Sequence, residues 1–251
     1  MIVYRELSSL ERDLGIRAST LYAVSNTVER HYHTVSLPKR DGSCRLLSVP
    51  DPQLKRIQRR IAQALLAPMP VSPYAMAYRY GASVVRNAAQ HVGRPAVLKL
   101  DIRHFFDSIL YASVKEAAFP AEIYGEPLRI LLTILCYHRE GLPQGAPSSP
   151  AISNLVMRTF DDEAAAWCRR RAICYTRYCD DLTFSGSFEP EAVIAFVREQ
   201  LRKRGFFLNE KKTVFVPAGR QQVVTGIVVN ETPNAPAEYR RRLRQELRFC
   251  R

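Results

Sequence analysis

The chain has 251 residues, 47% hydrophobic and 24% charged, enough for a full core in one or two domains. Lys and Arg total 37 against 24 acids, a formal charge of +13 that predicts a polyanionic partner. Cys44, Cys136, Cys168, Cys174, Cys179 and Cys250 show no paired spacing, which excludes a zinc ribbon or a disulfide framework. No basic leader or long apolar run is present, so a soluble, cytoplasmic protein with reduced thiols is expected. Only seven of the 37 basic residues are Lys, and the Arg fork suits bidentate phosphate contacts.

Through residue 30, charge alternates with Leu, Ile and Val at helical spacing, broken at Gly15, with Ser19-Thr20 placed to cap a second helix. Residues 34–50 give two extended runs around Asp41-Gly42, a hairpin signal, and the polar positions there are mostly basic. Asp51-Pro52 opens a helix that buries Leu54, Ile57, Ile61, Ala64 and Leu65 and leaves Lys55, Arg56, Arg59 and Arg60 outside, as a solvated face or a path for a polyanion. Pro68, Pro70 and Pro73 end it, and residues 74–80 with Gly81 form an aromatic connection. Asn87-Ala88-Ala89-Gln90-His91 lies in an Ala-rich segment that reads as helix, before an apolar strand that ends at Asp101.

Residues 111–138 read as helical with a break near 120–125, and residues 128–135 are apolar enough to be buried. Gly141-Leu142-Pro143-Gln144-Gly145-Ala146-Pro147-Ser148-Ser149-Pro150 is too rich in Gly and Pro for regular structure, and a helix carrying Asn154 follows. In Tyr178-Cys179-Asp180-Asp181, β-formers on both sides predict a hairpin with carboxylates at its turn. Adjacent acids repel, and a divalent cation offsets that most simply, because carboxylate oxygens are the ligands Mg²⁺ prefers. If the Asp101 strand joins the same sheet, three carboxylates surround two metals, the arrangement that clamps the attacking and leaving oxygens of a phosphoryl displacement. An amphipathic helix spans residues 190–203 up to Gly205, a strand carrying Thr225-Gly226 spans 223–229, and a very basic helix begins near residue 238.

The ordered series Leu98-Lys99-Leu100-Asp101-Ile102-Arg103-His104-Phe105-Phe106-Asp107-Ser108-Ile109, Gly141-Leu142-Pro143-Gln144-Gly145 and Tyr178-Cys179-Asp180-Asp181 resembles the motifs of reverse transcriptases. Asn87-to-His91 and Val224-Thr225-Gly226 are similar to the two extra signatures of the bacterial retron type. The resemblance covers residues 35 to 250. It implies an α+β right-hand polymerase with fingers over 1–90, a palm over 91–230 with fingers elements interleaved around 111–150, and a thumb only begun over 231–251. The 128–135 helix is expected in the palm.

The resemblance also implies roles. Asp101, Asp180 and Asp181 are catalytic and, with Ile102, hold two Mg²⁺, for which Mn²⁺ can substitute. Lys212, in preference to Lys211, protonates the leaving pyrophosphate. Lys39 and Arg45 bind the triphosphate, Phe106 excludes a 2′-hydroxyl, and Gln144 and Gly145 pack on the nascent pair with Asn154 as their helix partner and as a contact to RNA or primer. Phe105 is expected to be the core ring of its pair, since adjacent strand residues face opposite ways. Thr225 and Gly226 belong to a primer grip, Arg240, Arg241, Arg242 and Arg244 to a basic grip on RNA, and Asn87 and His91 hold RNA or brace the palm.

Cys179 stands where the family more often has Ala, a small-for-small change. The family's thumb normally runs well past residue 251, so either a trimmed chain or a minimal member with weak duplex grip is expected. No nuclease, maturase or RNase H segment is recognisable. The activity implied is reverse transcription of a structured noncoding RNA into cDNA from dNTPs, in a retron with an anti-phage role and an effector protein. The rivals are a group II intron-like, diversity-generating or phage-exclusion reverse transcriptase, or an RNA-binding scaffold or antitoxin with vestigial polymerisation.

Overall fold

The computed structural model describes residues 6–38, 42 and 44–249. Lys39 and Cys250 therefore lie outside the described residues. In chain order the elements are α1 (Leu7–Leu14), α2 (Ala18–Ser25), β1 (Tyr32–Pro38), β2 (Cys44–Pro50), α3 (Pro52–Ile61), α4 (Val84–Ala89), β3 (Ala96–Arg103), α5 (Tyr111–Ala118), α6 (Glu126–Cys136), α7 (Ser149–Arg169), β4 (Cys174–Tyr178), β5 (Asp181–Ser185), α8 (Pro190–Arg202), β6 (Phe207–Leu208), β7 (Val214–Pro217), β8 (Val223–Val224), β9 (Ile227–Val228) and α9 (Ala237–Phe249). They form two compact units, one of residues 1–71 and 104–157, the other of 72–103 and 158–251.

In the first unit, β1 and β2 pair antiparallel with Tyr32 opposite Pro50 and Pro38 opposite Cys44. Asp51 ends the hairpin and caps α3, its carboxylate accepting from the Leu54 N–H at 2.8 Å, and Pro52 starts the helix where no N–H is needed. Gln58 on α3 is fully buried and donates to the Tyr32 hydroxyl and the Leu135 carbonyl. That bond joins α3 to α6, whose buried Leu128, Leu131, Leu132 and Leu135 place it in the core of this unit, whereas the palm was expected to hold it.

Arg60 is exposed, as expected, and its guanidinium also donates to the Leu14 and Asp13 carbonyls at the C-terminus of α1. The second helix is capped differently from the expectation. Arg17 precedes it, and the Ala18 N–H donates to the Glu11 carboxylate, so Ser19 and Thr20 lie inside the first turn.

The second unit is built on an antiparallel sheet in the order β4-β5-β3-β6, with β7 also pairing β3. Alternation sets its two faces. Leu98, Leu100, Leu182 and Phe184 are buried on one. Lys99, Asp101, Asp181 and Thr183 share the other, because Asp101 lies opposite Asp181 and Lys99 opposite Thr183. α7 is tied to the sheet by the buried Asp161, and Trp167 stacks on Phe196 of α8 at 4.3 Å.

On the carboxylate face, α4 and the β8–β9 hairpin cover one end of β3 through Ala88, Val97, Val224 and Val229. Residues 72–90, expected with the fingers, therefore pack with this sheet. Residues 223–229 are two short strands, and Thr225-Gly226 is their turn, with φ of 45° and 82°. Both central residues of a two-residue type I′ turn need positive φ, and for a β-branched Thr that is costly.

Candidate active site

β3 carries Asp101 into the sheet next to β5, and the two-residue turn between β4 and β5 carries Asp180. The Ile102 N–H donates to the Asp180 carbonyl at 3.0 Å, which ties the turn to β3. Asp101 is 6% exposed, and its Oδ2 accepts from Lys212 Nζ at 2.7 Å. Of the two adjacent lysines, Lys212 is thus the one on a carboxylate. The Asp101 hydrogen bond, first, and the neighbouring acids raise its pKa and hold it protonated.

Asp181 is exposed as a residue, yet its carboxyl is pushed up to about 6, first by desolvation and then by the charges of Asp180 and Asp101. Lys212 and Lys99 oppose that rise only in part. Such like-charge crowding is the state a divalent cation relieves. Among the described residues no three His, Cys, Asp or Glu side chains form a complete metal cage. Mg²⁺ takes one or two protein carboxylates and completes its octahedron with water and substrate phosphate, and Asp101 with Asp181 opposite it has that donor chemistry. At Ile102 only the backbone carbonyl could contribute, since the side chain is apolar and 1% exposed.

A cavity of about 500 Å³ runs from these acids to the β8–β9 turn, lined by Asp101, Asp181, Lys99, Lys212, Thr225 and Gly226 among others. Lysines beside acids suit a ligand that brings both phosphate and metal.

Asn87 and His91 do not line it. Both are 0% exposed, so direct contact with RNA is ruled out for them in this conformation. Asn87 Nδ2 lies 3.4 Å from Thr225 Oγ1, and that hydroxyl donates to the Val84 carbonyl at 2.9 Å. Those contacts hold Thr225 at its unfavourable φ. His91 Nδ1 is 2.7 Å from Ser185 Oγ and Nε2 is 2.8 Å from Thr176 Oγ1, which joins the segment after α4 to β4 and β5. Burial, then the charge of Arg94, lowers its pKa to about 4. The two extra sequence signatures therefore form one brace on the sheet.

Of the other candidates, Arg45, Phe106, Gln144, Gly145 and Asn154 lie in the first unit and the arginines of α9 in the second. Arg45 on β2 is exposed, Gln144 and Gly145 are half-buried, and Asn154 is 1% exposed within α7, which corrects its expected contact with nucleic acid. Phe105 is 4% exposed and Phe106 half-buried. The division matches the expectation but its reason does not, because β3 ends at Arg103 and a turn begins at His104, φ 48°. The Phe106 carbonyl accepts from the Leu142 N–H at 2.9 Å, joining this turn to the Leu-Pro-Gln-Gly loop. A Cβ on Gly145 would sit 2.6 Å from the Ser48 carbonyl, so close approach to β2 requires Gly there. Arg240, Arg241, Arg242 and Arg244 lie exposed on α9, and Arg242 pairs with Glu246 at 2.8 Å.

Sequence reasoning passed over Arg177, Asp161 and Tyr78. A charged residue in the middle of an apolar strand directly before the acid pair was the signal for Arg177. Cys179, the first turn residue, has φ 60°, which costs a non-glycine residue about 1 kcal/mol or more.

Carboxylates at the junction of a central strand and an adjacent hairpin turn, on an antiparallel sheet backed by helices, define the palm of a right-hand polymerase. Residues 37–229 match the reverse transcriptase (RNA-dependent DNA polymerase) family. The chain is 38% identical to the retron Mx65 reverse transcriptase of Myxococcus xanthus, over 98% of this chain and 63% of that protein. It is 32% identical to the retron Ec83 reverse transcriptase of Escherichia coli, over 79% and 68% respectively. It spans 54% of the Mx162 relative from M. xanthus at 33% identity. The fold is similar to apo telomerase from Candida tropicalis, with a TM-score of 0.56 at 12% identity over 82% of this chain and 55% of that one. The chain belongs to the reverse transcriptase family, in its retron-type branch. No helix among the described residues is long and apolar enough to cross a membrane.

Proposed function

We propose that this chain carries RNA-directed DNA synthesis on a structured noncoding RNA, as the polymerase of a retron. The observation that supports this best is that Asp101 and Asp181 lie opposite each other at one edge of a cavity whose other edge is the Thr225-Gly226 turn, with Asp180 in the turn that the Ile102 N–H ties to β3. Asp101, the Ile102 carbonyl and Asp180, with Asp181 assisting, would hold two Mg²⁺ or Mn²⁺, and these would lower the pKa of the primer hydroxyl and neutralise charge on the leaving pyrophosphate.

The chain's own groups do the rest. Asp101 is oriented by β3 pairing on both sides. Lys212, protonated and beside Asp101, supplies a proton to the pyrophosphate as it leaves, the role of a positioned general acid. Lys99 and Lys211 offer charge to primer phosphates along the same cavity, and the Thr225-Gly226 turn bounds the primer end. We assign the palm to the second unit and the fingers to the first, and by their motifs Arg45, Gln144, Gly145 and Phe106 are assigned to the incoming deoxynucleotide, with Phe106 excluding a 2′-hydroxyl. Lys39 is assigned to the triphosphate by its place in the hairpin sequence. The arginines of α9 engage RNA phosphates, which gives affinity without selection, since selection among RNAs needs shape and unpaired bases.

The test is the nucleic acid that copurifies with the protein from its natural locus. A branched RNA–DNA molecule is expected. A linear cDNA would place the chain with the intron-like, diversity-generating or phage-exclusion enzymes, and RNA without any DNA would favour a scaffold or antitoxin. A retron effector and an anti-phage role follow from the same reading.

A further inference from the structure

We propose that Arg177, held by Asp161, is a positioning residue that fixes the direction in which the Cys179–Asp180 turn presents its carboxylates. The functional meaning rests on the polymerase reading above. Arg177 is 0% exposed and among the largest fully buried side chains. Its Nε and Nη2 donate to the two oxygens of Asp161 at 2.8 and 2.7 Å, and the Tyr175 hydroxyl donates to the same carboxylate at 2.8 Å. Asp161, also 0% exposed, comes from α7, so the guanidinium is anchored on a helix behind the sheet.

The third arm of the fork does something else. Nη1 donates to the carbonyl of Cys179 at 2.9 Å. On the far side of Asp180, the Ile102 N–H donates to the Asp180 carbonyl at 3.0 Å. The first bond fixes the peptide plane before the Asp180 Cα and the second fixes the plane after it. Since peptide units are planar, both dihedrals of Asp180 are then set, and with them the direction of its side chain. A third tether, from the Tyr78 hydroxyl to Cys179 Sγ at 3.2 Å, holds the turn at its unfavourable φ and gives the sulfur an acceptor role that Ala could not fill.

Stability alone does not account for this network. A buried ion pair can often be exchanged for apolar side chains of similar volume at no loss of stability. What such an exchange cannot replace is the donor to the Cys179 carbonyl. Lys cannot replace it either, because one ammonium lacks the planar fork that reaches Asp161 and the carbonyl together.

The test compares the wild-type chain with the triple variant Asp161→Leu/Tyr175→Phe/Arg177→Met and with Arg177→Lys. Three quantities are read: the melting temperature, the Mg²⁺ concentration giving half-maximal primer extension, and the rise in melting temperature on adding Mn²⁺, which reports metal binding without turnover. Partners that orient metal ligands typically contribute 10- to 100-fold. Each variant should therefore need about tenfold more Mg²⁺ and lose most of the Mn²⁺-induced rise, while binding a primer–template duplex in EDTA as the wild type does. Wild-type metal dependence in either folded variant would overturn the proposal. If the triple variant does not fold, Arg177→Lys, which keeps a cation opposite Asp161, carries the comparison. If the wild-type chain extends no primer, the polymerase reading fails, and the Mn²⁺ melting comparison still decides whether Arg177 sets the turn.

Discussion

Replacing His91 by Gln should make the protein less sensitive to acid. His91 is fully buried between Ser185 and Thr176, and its pKa falls from 6.5 to about 4, first by burial and then by the charge of Arg94. The folded-state value lies below the unfolded one, so the unfolded chain takes up the proton first. His91 therefore contributes stability that is complete above pH 6.5 and is lost as the pH falls through the window down to about 4. Over that whole window the loss is about 3 kcal/mol, and about 2 kcal/mol of it is reached by pH 5. Gln donates and accepts as the neutral ring does but takes up no proton. The variant should be about 1 kcal/mol less stable at pH 8, through poorer hydrogen-bond geometry. It should then lose about 2 kcal/mol less than the wild type between pH 8 and pH 5. Urea unfolding at pH 8, 7, 6 and 5 measures both. Parallel curves for wild type and variant would refute the argument, and would mean that His91 is protonated in the fold or is reached by solvent.

Gly145→Ala places a Cβ 2.6 Å from the Ser48 carbonyl, so it should lower the urea midpoint by an amount equal to about 1–3 kcal/mol and raise the KM for deoxynucleotides. Phe106→Ala should raise incorporation of ribonucleotides relative to deoxyribonucleotides in steady-state competition, and an unchanged ratio would return Phe106 to ordinary packing. Replacing Arg240, Arg241, Arg242 and Arg244 together should flatten the slope of log affinity against log salt by up to about 3, equally for related and unrelated structured RNAs. A loss confined to one RNA would show that α9 reads more than charge.

Much of the site was legible because its chemistry needs fixed residue types. Three acids at a strand end and a hairpin turn, and a Pro- and Gly-rich loop, can be read without coordinates, as can the Asp41-Gly42 hairpin and the Asp51-Pro52 helix start. What could not be read depends on tertiary partners. Arg60 is the surface charge its spacing announces, but its bonds to the Leu14 and Asp13 carbonyls exist only because α1 ends beside it. β7 is too short and exposed to show a period, and is a strand only because β3 offers it an edge. A β-branched Thr225 reads as strand, and its bonds to the Val84 carbonyl and Asn87 outweigh that preference and hold it in a turn. The burial of Asn87 and His91 follows from the hydroxyls of Thr176, Ser185 and Thr225, far away in sequence, and no local pattern announces it.

The central claim is that Asp101 and Asp180 hold the reacting centre of an RNA-templated polymerase. Asp101→Asn and Asp180→Asn remove one charge each and keep the side-chain volume, so the fold should persist. The decisive measurement is extension of a DNA primer on an RNA template with deoxynucleotides and Mg²⁺, compared with the melting temperature of each variant. The account predicts extension by the wild type and none by either variant at an unchanged or higher melting temperature, since relief of like-charge crowding removes a destabilising term. Extension by either variant at near the wild-type rate would contradict it.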